Sequence, residues 1–151
     1  MKTYTTTELA EILELNRLHA IGDPSGKLAD LSGAYLNNAN LSNAILSNAN
    51  LSGAYLSNAI LSGATLPDGT KWEQYLSETV PELLVAGGKT IAEIVAAGAW
   101  QCHDWTNCPM HAAFGINSAE EGPILLRPRI TEFVQFYDAG LVPCPVVGEV
   151  E

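Results

Sequence analysis

The stretch ADLSG AYLNN ANLSN AILSN ANLSG AYLSN AILSG ATL, residues 29–66, repeats every five residues and decides the fold. Each unit places an alanine two positions before a leucine. The eight pairs are Ala29/Leu31, Ala34/Leu36, Ala39/Leu41, Ala44/Leu46, Ala49/Leu51, Ala54/Leu56, Ala59/Leu61 and Ala64/Leu66. A period of five matches neither the 3.6 residues of a helical turn nor the two-residue alternation of a β-strand. The chain must therefore change direction once in every unit.

The Ala-x-Leu-x-x pattern resembles the pentapeptide-repeat family over residues 29–68. This resemblance implies a mainly β solenoid with added helices: a right-handed quadrilateral β-helix of about two coils, with one repeat on each side. The leucine and alanine of each unit would then fill a narrow core. Because residues 20 apart would lie above one another, we expect Tyr35 to stack on Tyr55. Two coils are too few to be stable alone, so caps are expected at both ends.

Three parts are predicted along the chain: an N-terminal capping helix and linker at 1–26, the repeat solenoid at 27–70 and a C-terminal helical module at 71–151. The first helix is predicted from a capping box between Thr5 and Glu8, followed by an apolar stripe. We expect that stripe to lie across the open end of the first coil.

The C-terminal module shows helix signals instead of repeats. Thr79 and Thr90 each precede a glutamate by three residues, which is typical of a capping box, and each is followed by apolar residues at helical spacing. Pro128 and Gly140 are placed to begin and end a further helix. The sequence therefore predicts three short helices in this module.

Charge is distributed unevenly. Seventeen acidic against seven basic residues give a net charge of −10, the wrong sign for direct binding to nucleic acid or to an anionic membrane. No charged residue lies between Leu31 and Pro67, whereas residues 68–151 carry a net charge of −8. The best-characterised pentapeptide-repeat proteins protect DNA gyrase by resembling duplex DNA in width and negative charge. An uncharged, two-coil repeat argues against that role here.

The N-terminus has no signal-peptide pattern, and no apolar run approaches the roughly 18 to 20 residues that cross a bilayer. We therefore expect a cytoplasmic protein. The layout of helix, short repeat and tail rich in tryptophan, cysteine and histidine is similar to that of small pentapeptide-repeat proteins of bacteria and phages. That likeness carries no catalytic residue over to this chain.

One stretch, residues 100–111, is dense in reactive side chains. Cys102, Cys108 and His111, with Cys144 or His103 as a fourth ligand, have the donor types of a zinc site. However, the two cysteines are separated by five residues, whereas structural zinc sites usually space a pair by two to four. A Cys102–Cys108 disulfide is a further alternative. The favoured interpretation is that these cysteines pack as small hydrophobic residues, so no metal or other cofactor is assigned.

Three functional hypotheses follow. The first is a non-enzymatic scaffold that binds another protein, or a second copy of itself, through outward-facing residues or through the acidic C-terminal module; the outward-facing candidates are Tyr35, Tyr55, Ile45 and Ile60. The same side chains would instead be covered if the terminal segments fold over them. The second hypothesis is an acidic inhibitor of a nucleic-acid-handling protein in a phage or host setting, acting through residues 68–151. The third is a small zinc- or thiol-dependent activity in the C-terminal module.

Overall fold

The computed structural model of the chain describes residues 2–98, 100 and 108–145. Two compact units divide the chain, Met1–Tyr75 and Leu76–Glu151. The first holds the N-terminal helix and all the repeats, and the second holds most of the remaining helices.

Helix α1 spans Thr6–Ala20 and begins at the predicted capping box. The Thr5 hydroxyl accepts a hydrogen bond from the Glu8 backbone N–H at 3.1 Å, and the Glu8 carboxylate accepts one from the Thr5 backbone N–H at 2.8 Å. Two of the N–H groups that a helix start leaves unpaired are thereby satisfied. The chain leaves the helix through Gly22, whose φ of 81° is left-handed.

The repeats pair with one another at a spacing of 20 residues, as predicted. Parallel bridges join Asp30 to Asn50, Tyr35 to Tyr55, Asn40 to Ile60 and Ile45 to Thr65. At the second of these bridges, the Leu36 N–H donates to the Tyr55 carbonyl at 2.8 Å and the Tyr55 N–H donates to the Ala34 carbonyl at 2.9 Å. We refer to residues 29–48 as the first segment and to residues 49–68 as the second segment.

The prediction of a mainly β class, a quadrilateral β-helix solenoid, is wrong. None of the residues that the structure describes belongs to a β-strand or sheet, and the regular elements are helices. The two segments are held by isolated bridges, each one residue long and separated from the next by a turn.

The reason lies in one position of each repeat. The second residue after each leucine from Leu31 to Leu61 has a φ between 60° and 72°; these residues are Gly33, Asn38, Asn43, Asn48, Gly53, Asn58 and Gly63. Glycine and asparagine adopt this left-handed conformation most readily. A left-handed residue every five positions turns the chain before neighbouring residues can pair in succession. No bridge therefore lengthens into a strand.

The leucines form the core of the repeats. All eight leucines from Leu31 to Leu66 are buried, and so are seven of the eight alanines that precede them. Ala39 is the exception and is only half-buried. The inward placement predicted for the leucine and alanine positions is thus confirmed, with one local opening at Ala39.

The second segment ends against the residues that follow it. The Trp72 N–H donates to the Ala64 carbonyl at 2.9 Å, and the Glu73 carboxylate accepts from the Gly63 N–H at 3.0 Å. Trp72 is buried and stacks on Tyr75, with 5.5 Å between the ring centroids. These contacts satisfy backbone groups that a further repeat would otherwise have paired.

The remaining helices run from residue 72 to residue 138. They are α2 (Trp72–Gln74), α3 (Val80–Val85), α4 (Ile91–Ala96), α5 (Pro109–Phe114) and α6 (Arg127–Asp138), with a π-helical turn at Tyr75–Thr79 and 3₁₀ turns at Ala119–Glu121 and Ile124–Leu126. Helix α3 contacts α4, α5 and α6. The predicted helices after Thr90 and at Pro128 are present, and the Thr90 hydroxyl accepts from the Glu93 N–H.

The predicted capping box at Thr79 is wrong. Thr79 is itself helical, with φ −67° and ψ −44°, and its side chain makes no capping hydrogen bond. The π-helical turn leads directly into α3, so α3 continues an existing helix and has no separate N-terminus for Thr79 to cap. Helix α5 was not predicted; it begins after Cys108, whose Sγ accepts from the His111 N–H at 3.5 Å.

Candidate functional site

Two tyrosines stand next to each other on the outside of the repeats. Tyr35 is 47% exposed and Tyr55 is 55% exposed, and their ring centroids are 5.7 Å apart with the planes tilted by 38°. We call this pair the tyrosine face. The two rings are therefore neighbours, as the 20-residue spacing predicts, although their planes are tilted and not stacked. On the next side of the repeat, Ile60 is 49% exposed and is bridged to Asn40.

Ile45, the fourth residue expected on the interaction surface, has a different environment. Its side chain is half-buried, and its bridge partner Thr65 is buried. Helix α1 lies against the backbone here, because the Asn16 side-chain amide donates to the Ile45 carbonyl at 2.8 Å. Ile45 therefore lies at the contact with α1, whereas Tyr35, Tyr55 and Ile60 are exposed.

Asn16 fixes α1 to the first segment. Its side chain is completely buried; its amide nitrogen donates to the carbonyls of Ile45 and Ser47, and its oxygen accepts from the Ala29 N–H at 2.9 Å. The apolar stripe of α1 was expected to cover this end, but its side chains are only half-buried or, at Leu15, exposed. A hydrogen-bonded amide closes this end of the repeats.

Sequence reasoning missed both Asn16 and Glu73. A signal for Asn16 was present, because it follows Leu13 by three residues and Ile12 by four and so falls on the apolar side of α1. A polar residue at such a position needs a hydrogen-bond partner when it is buried. No comparable signal marks Glu73.

The N-terminal residues continue the repeat edge above the tyrosine face. The Lys2 carbonyl accepts from the Tyr35 N–H at 2.7 Å, and the Lys2 ammonium lies 3.4 Å from the Asp30 carboxylate. Hydrogen bonds from the Ser32 hydroxyl and backbone N–H, together with Lys2, hold the pKa of the Asp30 carboxyl below its ordinary value. Both charges are exposed, so the pair marks the position of the N-terminal residues and adds little stability.

A groove of about 480 Å³ separates the first half of α1 from the first segment. Residues 4–6, Leu9, Ala10 and Leu13 line one side, and residues 35–40 line the other. We call it the α1 groove. It lies beside Ala39, and this explains why that alanine is less buried than its equivalents in the other repeats.

The family comparison agrees with the repeat geometry. Residues 28–66 match the family model for pentapeptide repeats in eight copies. Residues 28–66 are therefore a segment of pentapeptide repeats within the chain. No curated protein and no solved structure matches the chain. In the described part of the chain, no helix has the length and apolar character needed to cross a membrane.

The structure describes some of the metal-ligand candidates. Cys102 and His103 lie outside the described residues. Cys108 is buried at the start of α5, and Cys144 is exposed. The His111 ring nitrogen Nδ1 lies 2.9 Å from the Ile116 carbonyl. Within the described ranges, no three histidine, cysteine or acidic side chains come together as a metal site.

Proposed function

We propose that this chain is a non-enzymatic interaction module whose tyrosine face binds another protein. The exposure of two adjacent tyrosines in ring contact carries this proposal, because large aromatic side chains dominate the binding energy of protein interfaces. Ile60 extends the apolar surface onto the next side.

The surroundings of the tyrosine face suit this use. No charged residue occurs from 31 to 67, so Asp30, paired with Lys2, is the one ionised side chain of residues 29–67 that a partner could dehydrate. A tyrosine buries about 150–250 Å² when fully covered, so covering the exposed half of Tyr55 contributes about 2 kcal/mol at 25 cal/mol per Å². The bridge between Tyr35 and Tyr55 holds both backbones before binding, and this lowers the entropy cost of association.

The net negative charge of the chain restricts the class of partner that the tyrosine face can bind. With a net charge of −10, the chain repels nucleic acid and anionic lipid surfaces at long range. A neutral apolar patch on a protein is the better complement to the tyrosine face. The proposal assigns no catalytic residue and no cofactor.

A photo-crosslinking amino acid at position 55 tests the proposal directly. The matched control is the same substitution at Asn50, an exposed residue at the same repeat position but on another side. In cells that express the chain at its natural level, we expect one discrete adduct from position 55 and none from position 50. An adduct of twice the chain mass would identify the partner as a second copy.

Affinity then provides a quantitative check with the captured partner. Tyr55→Ser should weaken binding by tenfold or more, since about 2 kcal/mol exceeds the 1.4 kcal/mol that corresponds to one factor of ten. Asn50→Ser should leave binding unchanged. Equal crosslinking from both positions, or no adduct from either, would overturn the assignment of this face.

A further inference from the structure

We propose that the α1 groove binds a neutral saccharide. This inference is independent of the tyrosine face as a protein-binding surface, although Tyr35 borders both. It rests on the lining, the unused hydrogen-bonding groups and the shape of the repeat edge.

The lining of the α1 groove contains no charged side chain, although the chain as a whole carries a net charge of −10. At the start of α1, the Glu8 carboxylate already occupies the Thr5 N–H and places a negative charge beside the groove, which repels an anionic ligand. An ionic ligand would find no counter-charge here and would lose hydration on entry. A neutral ligand meets no such penalty.

Unused hydrogen-bonding groups point to a ligand rich in hydroxyls. Asn37 and Asn40 accept hydrogen bonds through their side-chain oxygens, from the N–H groups of Ser57 and Ser42. Their amide nitrogens donate to no described residue. The Asn38 side chain has no protein partner among the described residues. A side-chain amide has both a donor and an acceptor, and a sugar hydroxyl both donates and accepts, so the two groups can hydrogen-bond to each other in either direction.

The backbone edge of the first segment is open at the same place. The Ile45 carbonyl is bonded by Asn16, whereas no described residue donates to the equivalent carbonyl of Asn40. In the second segment, the Ile60 N–H donates to the Ala39 carbonyl of the first segment. The equivalent N–H of Asn40, in the first segment, donates to no carbonyl of the described chain. Ligand hydroxyls have both a donor and an acceptor to meet on this edge.

The groove also has an apolar part. Leu9 and Leu13 line it from α1, and the half-buried Ala39 and the Tyr35 ring line it from the repeat. Sugar rings present C–H faces that pack on such surfaces, while their hydroxyls reach the amides at the rim. The volume of about 480 Å³ falls within the range of 300–1,000 Å³ typical of small-molecule sites and accommodates a disaccharide.

The shape of the edge disfavours an extended peptide as the occupant. A peptide that adds to an edge needs several successive residues in line. Here the chain turns at Asn38, whose φ is 65°. Of the described N-terminal residues, Lys2 alone forms a bridge, to Ala34, before the chain turns into α1. A compact ligand fits the corner better than a strand does.

Amide NMR of the ¹⁵N-labelled chain tests the proposal, with maltose, cellobiose and N,N′-diacetylchitobiose as probes. We expect at least one of them to shift the amides of residues 35–40 in a saturable way. Glucose 6-phosphate should bind more weakly than glucose. Loss of all shifts in this segment, or tighter binding of the phosphorylated sugar, would overturn the proposal.

Matched variants separate the groove from the rest of the repeat. Asn38→Gly retains the left-handed backbone but removes one amide, so binding should weaken about fivefold. Asn58→Gly makes the same change 20 residues later, away from the groove, and should have no effect. Ala10→Trp should block the groove from the exposed side of α1.

The outcomes also distinguish this site from the tyrosine face. Tyr55→Ser should leave saccharide binding intact, because Tyr55 does not line the groove. Equal weakening by Asn38→Gly and Asn58→Gly would contradict the site. So would saccharide binding that Ala10→Trp leaves unchanged while the variant retains the helical circular dichroism of the parent.

Discussion

Replacing Asn16 by alanine should destabilise the Met1–Tyr75 unit by about 3 kcal/mol. The Asn16 side chain is fully buried and makes three hydrogen bonds, to the Ile45 and Ser47 carbonyls and to the Ala29 N–H. Each such bond contributes about 1 kcal/mol net to the free energy of unfolding. The backbone groups left without a partner and the cavity left by the side chain add to the loss of stability. Alanine favours helix over asparagine by roughly 0.5 kcal/mol, which offsets only a small part of it.

Urea denaturation followed by far-ultraviolet circular dichroism measures this loss. Because the chain has two units, hydrogen exchange of peptides from residues 29–68 is needed to assign the transition to the repeats. The matched control is Glu11→Ala, an exposed change in the same helix, which should stay within about 0.5 kcal/mol of the parent. A loss below about 1 kcal/mol for Asn16→Ala, with unchanged exchange in the repeats, would refute the capping role.

Asn16→Asp supplies a second, pH-dependent readout of the same contact. At neutral pH the new carboxylate would face two carbonyl oxygens in a buried position, so its charged form is disfavoured and its folded pKa lies above the unfolded one. Folding then binds a proton, and stability should rise as the pH falls towards the unfolded pKa. A stability profile with the opposite slope would contradict the placement of the amide nitrogen against the carbonyls.

Three further predictions concern the repeats. The Asp30 pKa, followed by NMR, should lie below its ordinary value of 3.8 and rise more in Ser32→Ala than in Lys2→Met, because the serine hydroxyl contributes most. Its stabilising contribution is present above the unfolded pKa and is lost as the pH falls through the folded pKa; equal Asp30 pKa values in the parent and Ser32→Ala would contradict this. Gly53→Asn should be nearly neutral in urea denaturation, since asparagine occupies four equivalent left-handed positions, whereas Gly53→Val should cost about 1–2 kcal/mol. Leu46→Ala, at a fully buried position, should cost about 3 kcal/mol, and a cost near zero would exclude a packed leucine core.

The repeat arrangement was predictable because its cause is local. A leucine every five residues requires a turn in each unit, and the contact of Tyr35 with Tyr55 follows from that spacing. The structural class was not predictable by the same route. The left-handed residues at every fifth position shorten each pairing to a single residue, and the family resemblance led us to expect strands where only bridges form.

The candidate site was predictable only in part. The repeat pattern predicted outward positions for Tyr35, Tyr55 and Ile60 but did not decide whether the terminal segments would cover them, and the structure leaves all three exposed. The same pattern placed Ile45 with them, but the docking of α1 through Asn16 leaves Ile45 half-buried. Which outward residues stay exposed depends on contacts 29 or more residues away along the chain, and a five-residue pattern holds no information about them.

The sequence by itself determined the repeat, its buried leucines and the segregation of charge away from residues 31–67. These features depend on residue type and spacing within one or a few repeats. Only the tertiary structure decided how the ends are closed, by Asn16 at one end and by Glu73 at the other, and where the α1 groove opens. The two closures depend on where a helix docks, and docking is set there by hydrogen bonds from one side chain to backbone groups, which look alike in every repeat of the sequence.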